Sequence, residues 1–342
     1  MRFGLTDEQK LLQATVRDFA AVTFEDSRRK AAVDPDDRGR LDGWQGLHDL
    51  GLTTILVPQE FGGSGGSLTD ACVVAEALGA ACAPVPYVGA AIAAPSLLLA
   101  CGGSGAIADL VAGATYSVVV DRDLSWPATA PALAWDWLPG AVGLVLVHGA
   151  LVTVALDHPL RLEHSYDPLH PLAAVRDAVS DDATPLGEDL RRVLAFTRVG
   201  LASFCLGLAS SALQEAVGYA GVREQYGQRI GSFQAVQHLC ADMLVDVESS
   251  RSIVYGASWV AQESSADEAE RRCAAALSWA GSAAIRVCES SIQVLGGIGV
   301  TQEHVAHHRL RTAHLFSSAF GGVRAANDVL GGHRLTSSRA KG

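Results

Sequence analysis

The chain has 342 residues, 49% of them apolar and 18% charged, with a formal net charge of −11. That apolar content fills a large core and leaves surface for a subunit interface, and an acidic chain without a basic stripe is a poor match to nucleic acid. Seven scattered cysteines with no CxxC pair read as small core hydrophobes in a reducing, cytoplasmic setting, not as a disulfide framework.

Thr6, followed by Asp7, Glu8 and Gln9, predicts an N-cap and an acidic first turn for a helix through LLQATVRDFAAV. The opening MRFGLTDEQK has no apolar signal core. Helical patterns follow at 41–52, 68–78 and 89–100. Ahead of the 68–78 pattern lies the glycine-rich PQEFGGSGGS (58–67), which fits either a flexible connector or a built loop. The most hydrophobic region, 85–100, is interrupted by Pro86 and Pro95 and is too short to span a bilayer, so a buried helix is expected there and no membrane span. From 115 to about 185, YSVVVD, VGLVLVHG and ALVTVAL are β-branched runs punctuated by Gly, Pro and Asp, which predicts a small β-domain.

Helices return at 188–221, through the periodic Val236, Leu239, Cys240, Met243, Leu244 and Val247, and at 267–295, which acidic residues open. A short last helix is predicted over 324–330, closed by Gly331 and Gly332. The expected fold is mostly α with a small β-domain, divided at 1–114, 115–186 and 187–342.

Two stretches ask for more than chain turning. VREQYGQRIGSFQAVQ (222–237) places two arginines, four glutamines, a glutamate and a tyrosine at one corner between helices. Arg223 can fork onto a phosphate, and the face of Tyr226 can stack on a planar ring. In QVLGGIGVTQE (293–303), Gly296, Gly297 and Gly299 let the backbone approach a ligand and bare its N–H groups. Two helices separate the corners, so both can meet at one place.

With PQEFGG, VREQYGQRIGSFQAVQH and QVLGGIGVTQE in this order, the chain resembles the acyl-CoA dehydrogenase family along nearly its whole length. The resemblance implies an α-helical N-terminal domain, a middle β-domain (here reduced) and a C-terminal four-helix bundle. It also implies FAD as cofactor and introduction of an α,β double bond into an acyl-CoA thioester, with an electron-transfer flavoprotein as a possible partner. On the same ground Arg223, Tyr226, Gln234, Gln293, Gly296 and Gly297 hold the diphosphate and adenosine end of an FAD bound mainly by a neighbouring subunit.

The departures from the family carry as much weight. The α-proton needs a carboxylate base. Where the family has its glutamate late in the chain, LFSSAFGG has Phe320; at the alternative place, just before Arg198, stands Thr197. Neither side chain accepts a proton at neutral pH. Glu303 and Asp328 lie outside the family's base positions. The Thr-Glu-Pro-x-x-Gly-Ser-Asp segment that helps hold the flavin ring is not present. Together these losses resemble one half of the α2β2 acyl-CoA dehydrogenases of actinobacteria that act on steroid side-chain thioesters, in which a partner supplies the glutamate. The other classes are a non-catalytic acyl-CoA or flavin-binding assembly module, and a flavin-dependent oxygenase of the same fold.

Several features are set aside. His304, His307, His308 and His314 are expected on an exposed helix face with no metal, and Arg191–Arg192 and Arg271–Arg272 on solvated faces. Trp126, Trp135 and Trp137 are expected as packing or interface residues and not as a stacking platform.

Overall fold

A computed structural model describes residues 4–31, 38–128, 132–147, 150–154, 156–159, 166–175 and 187–339. The N-terminal part is helical: α1 (Asp7–Ala31), α2 (Arg38–Asp49), α3 (Leu68–Ala80), a π-helical segment (Tyr87–Ala93) continuing into α4 (Ala94–Ala100), and α5 (Ser104–Val111). Thr6 and Gln9 form the expected reciprocal cap of α1: Gln9 N–H donates to Thr6 Oγ1 (3.2 Å) and Thr6 N–H to Gln9 Oε1 (3.0 Å). Ser67 and Asp70 do the same for α3. The 58–67 stretch is a built loop. Its amides return to Pro58, Thr54, Val57 and Ile55 carbonyls, and a Cβ on Gly63 would collide with the Val57 carbonyl.

Six short strands form one sheet in the order β4–β3–β1–β2–β6–β5, with β1 (Tyr116–Asp121) parallel to β3 (Val142–Val147) and the other pairings antiparallel. The remaining strands are β2 (Ala132–Ala134), β4 (Ala150–Val154), β5 (Leu156–Pro159) and β6 (Ala173–Val175). Trp126, Trp135 and Trp137 are all buried, as the packing expectation required.

The bundle consists of α6 (Glu188–Val222), α7 (Gln234–Glu263), α8 (Ala266–Leu295), α9 (Ala306–Ser318) and α10 (Gly322–Arg339). α6 is apolar and long enough to cross a membrane, but 94% of its most apolar window is buried, as suits the axis of a protein core. It packs on α3 almost backbone to backbone. A Cβ on Gly79 would strike the Phe204 carbonyl, and one on Gly207 the Glu76 carbonyl. Gly207→Ala therefore has to push two helices apart and lowers stability by about 1–3 kcal/mol, read as a lower urea midpoint at unchanged m-value.

Two expectations for the C-terminal region need correction. The last helix does not stop at Gly331 and Gly332; both are helical and α10 runs on to Arg339. Glycine weakens a helix interior without ending it unless the backbone turns left-handed, and neither residue has a positive φ. The histidine-rich face is not exposed either: His304, His307 and His314 are half-buried and His308 is buried. Arg309 is buried as well, and it pairs with Glu215 on α6, a contact no local pattern reports. Likewise Arg192 is half-buried and donates to the Ala261 (2.9 Å) and Ser264 (2.8 Å) carbonyls at the end of α7.

Candidate active site

The first candidate site is the corner between α6 and α7. Arg223 closes α6, and a two-stranded hairpin follows: β7 (Glu224–Gln225) pairs with β8 (Gln228–Arg229) across Tyr226 and Gly227. Both loop residues have positive φ, +53° and +77°, the geometry a two-residue hairpin requires and one that Gly227 takes without strain. The hairpin is anchored by the Ile230 amide on the Arg223 carbonyl (2.8 Å), while residues 221–229 are all exposed and Tyr226 reaches 92% exposure. Gln225 donates only to its neighbour's carbonyl. Among the described residues, Arg223 and Gln234 make no side-chain hydrogen bond within the chain, and Tyr226 only touches Phe233 edge-on at 6.3 Å.

The helix pairings bring the glycine turn to the same end of the bundle. Ser291 Oγ on α8 donates to the Ala212 carbonyl on α6 (3.0 Å), and Arg286 on α8 pairs with Asp246 on α7 at 2.7 Å. Extending both registers along the helices sets Gly296 beside the last turns of α6, and residues 297–299 level with Gln234. Gln293, Gly296 and Gly297 are exposed, and a Cβ on either glycine would meet nothing within 4 Å. Gly296 needs its flexibility for φ +65°; among the described residues, nothing requires a glycine at 297. All six residues singled out from the sequence thus belong to one end of the bundle, with donors unspent and backbone bare. That suits an anion held from outside the chain.

The second candidate site is the turn between α9 and α10. Phe320 is 2% exposed and sits at φ +55°, ψ +41°, a left-handed conformation that costs a phenylalanine roughly 1–2 kcal/mol. Gly321 and Gly322 continue with positive φ, and the Gly321 amide donates to the Leu124 carbonyl of the β1–β2 connection (2.9 Å). The Phe320 ring lies edge-on to Trp135 at 5.5 Å. Trp135 meets Phe316 at 5.2 Å, and Phe316 stacks on Phe204 at 4.4 Å. Aromatic carbon therefore fills the place between sheet and bundle. Thr197, the other residue that the resemblance sets where a base is expected, is buried and donates back to the Val193 carbonyl (2.8 Å). Neither place offers a proton acceptor. On the open side of the turn a cleft of about 430 Å³ is lined by Asp123, Ser125, His314 and Arg324.

Beneath the aromatic cluster lies a polar network that the sequence reading missed. Asp136, at φ +54°, accepts from or shares a proton with His170 Nδ1 (2.9 Å), and Arg40 lies 4.0 Å away while donating to the Pro84 (2.9 Å) and Trp137 (3.3 Å) carbonyls. Asp167 accepts from Thr312 Oγ1 (2.7 Å) and the Leu169 amide (3.0 Å). The available signal was the charged residues within the apolar runs AWDW and DPLHP. Burial raises the Asp167 carboxyl above its ordinary value, with His170 and the two hydrogen bonds opposing. A carboxyl raised by folding favours the folded state at low pH and disfavours it as pH rises through the folded value. Asp167→Asn should flatten that dependence: as pH rises above the ordinary aspartate range near 4, the wild type loses ground to the variant in urea unfolding.

Comparison with known proteins fits this geometry. Residues 6–105 match the acyl-CoA dehydrogenase N-terminal domain and residues 189–326 its C-terminal domain. IpdE2 of Mycolicibacterium smegmatis, an acyl-CoA dehydrogenase, is 30% identical over 94% of this chain and 96% of its own length. This chain belongs to the acyl-CoA dehydrogenase family. FadE34 of Mycobacterium tuberculosis, also an acyl-CoA dehydrogenase, is 34% identical over 93% of the chain, which spans 47% of that longer protein. The ChsE4–ChsE5 complex from Mycobacterium tuberculosis shares the fold, with a TM-score of 0.80 at 23% identity over the full length of both chains. The acyl-CoA dehydrogenase fold is thus present from end to end, in a family of FAD-dependent oxidoreductases.

Proposed function

We propose that this acyl-CoA dehydrogenase chain is one half of a heteromeric enzyme. It clamps the diphosphate end of FAD, and a homologous partner supplies the glutamate base and the bed for the flavin ring. The observation that carries the proposal is the contrast between the two ends of the site. Phe320 blocks the base position with buried aromatic carbon, while Arg223, Gln234 and Gln293 stand exposed beside bare glycine backbone. The residues fit one end of the cofactor and do not fit the other.

When bound, FAD would supply the hydride acceptor for the acyl β-carbon, and the carboxylate that takes the α-proton would come from the partner. This chain's part is to bind and orient. Arg223 offers a forked charge to a phosphate, Gly296 and Gly297 let backbone amides approach it, and Tyr226 offers a ring face to the adenine end. Residues 1–114 and the reduced sheet at 115–186 serve as scaffold for the bundle at 187–342. The ChsE4–ChsE5 complex and the Tcur3481–Tcur3483 steroid ACAD support a heteromeric partner and a bulky acyl group such as a steroid side-chain thioester. Seven free cysteines suit a reducing cytoplasm.

Arg223→Ala tests the assignment. The side chain is exposed, so folding is unaffected. Loss of one charge-assisted phosphate contact, worth about 1.5–3 kcal/mol, lowers FAD retention by the assembled enzyme roughly 10- to 100-fold. Unchanged flavin content would remove the role given to Arg223.

A further inference from the structure

The turn at 296–305, which carries Gly296 and Gly297, is tied to α6 at both of its ends. At its entry, Ser291 Oγ on α8 donates to the Ala212 carbonyl (3.0 Å). At its exit, Glu215 takes a different partner on each carboxylate oxygen: Arg309 Nη1 pairs with Oε2, and His304 sets Nε2 3.5 Å from Oε1. Ala212 and Glu215 lie one turn apart on the same face of α6. Within the turn, the Thr301 amide (3.2 Å) and hydroxyl (3.0 Å) both donate to the Ile298 carbonyl, and the His304 amide donates to the Thr301 carbonyl (3.2 Å).

The His304 ring is fixed in its turn. Its Nδ1 accepts from the Ala306 amide at the start of α9 (3.2 Å), so the neutral ring carries its proton on Nε2, facing Glu215. Arg309 is buried, and among the described residues Glu215 is the acid it pairs with. A buried guanidinium without that carboxylate keeps an uncompensated charge, so this pair holds α9 to α6 more firmly than a surface ion pair does. Arg223 stands about 12 Å further along the same helix. One helix thus bears Arg223 directly and fixes the glycine turn through Glu215.

We infer that Glu215 is a positioning residue for the diphosphate site: with His304 and Arg309 it sets the glycine turn at a fixed distance from Arg223, so that both grips close on one diphosphate. The inference rests on the proposed clamping of FAD by this chain. A diphosphate presents its oxygens at a fixed spacing, and a turn that had to be ordered at the moment of binding would lose affinity to that ordering.

Hydrogen exchange of the full chain alone tests the tie. Glu215→Gln and His304→Ala should each speed amide exchange across 296–305 by about 10-fold or more, while the α6 amides around Ala212 keep their wild-type rates. His304→Ala leaves the Arg309 pair in place, so the measurement stands even where Glu215→Gln folds poorly. Unchanged exchange at 296–305 overturns the inference. FAD retention by the assembled enzyme, this chain with its base-carrying homologue, tests the role. Glu215→Gln should lower retention roughly 10-fold in the wild-type background and less than about 2-fold in the Arg223→Ala background, because with one grip gone the spacing between grips no longer matters. An equal factor in both backgrounds is what general destabilisation produces, and it overturns the positioning role. Loss of FAD in Arg223→Ala with none in Glu215→Gln defeats that role alone; unchanged retention in Arg223→Ala defeats the diphosphate reading beneath it.

Discussion

Phe320→Glu will yield a less stable chain with no dehydrogenase activity of its own, although it restores a glutamate to the family's base position. The wild-type ring is 2% exposed and set edge-on against Trp135, which in turn meets Phe316. Truncating a buried phenylalanine costs about 3–5 kcal/mol, and a carboxylate placed in aromatic carbon without a donor adds a further penalty. The new carboxyl escapes by staying protonated, so its value rises on folding. Stability is then least impaired below the ordinary carboxylate range and falls as pH rises. Urea unfolding at pH 5 and pH 8 separates the cases. A variant as stable as wild type at pH 8 that oxidises an acyl-CoA alone would mean the place is a working base position after all.

Arg251→Ala will be comparably damaging, through a cluster remote from either candidate site. Glu76 on α3 has no exposure, yet it carries a carboxylate. Arg251 and Tyr255 on α7 donate to its two oxygens and Gln13 on α1 adds a bond at 3.2 Å. Burial, followed by the Glu76 charge, pushes the Tyr255 hydroxyl far above its ordinary value, so it stays a donor at any working pH. Removing the guanidinium leaves a buried charge half-compensated, at about 3–5 kcal/mol. Arg251→Ala combined with Glu76→Leu should recover much of that loss, since removing both partners spares the desolvation cost. A double variant as unstable as the single one would show that packing, not charge, sets the effect.

These two clusters mark the limit of what the chain discloses in one dimension. The succession of helices, strands and helices was legible because hydrophobic periods of 3.6 and 2 are local properties. The cap at Thr6 was legible because its partner is three residues away. The exposed corner between α6 and α7 was legible as a candidate site because a hairpin rich in unspent donors is written contiguously, and so is a glycine turn. The Glu76–Arg251 pair spans 175 residues and the Asp167–Thr312 bond 145, and no spacing rule connects them. Arg309 looks solvated for the same reason: its partner, Glu215, lies on another helix. The left-handed Phe320 was also out of reach. The sequence shows a phenylalanine at 320, but only the packed structure shows it buried and left-handed.

The central claim is that the two ends of the cofactor belong to different chains. Flavin content of the purified chain, measured alone and after co-expression with a base-carrying homologue, tests it most directly. The account predicts a colourless chain alone and a yellow, active complex holding one FAD per pair of chains. A preparation of this chain by itself that carries one FAD per chain and oxidises an acyl-CoA would contradict it.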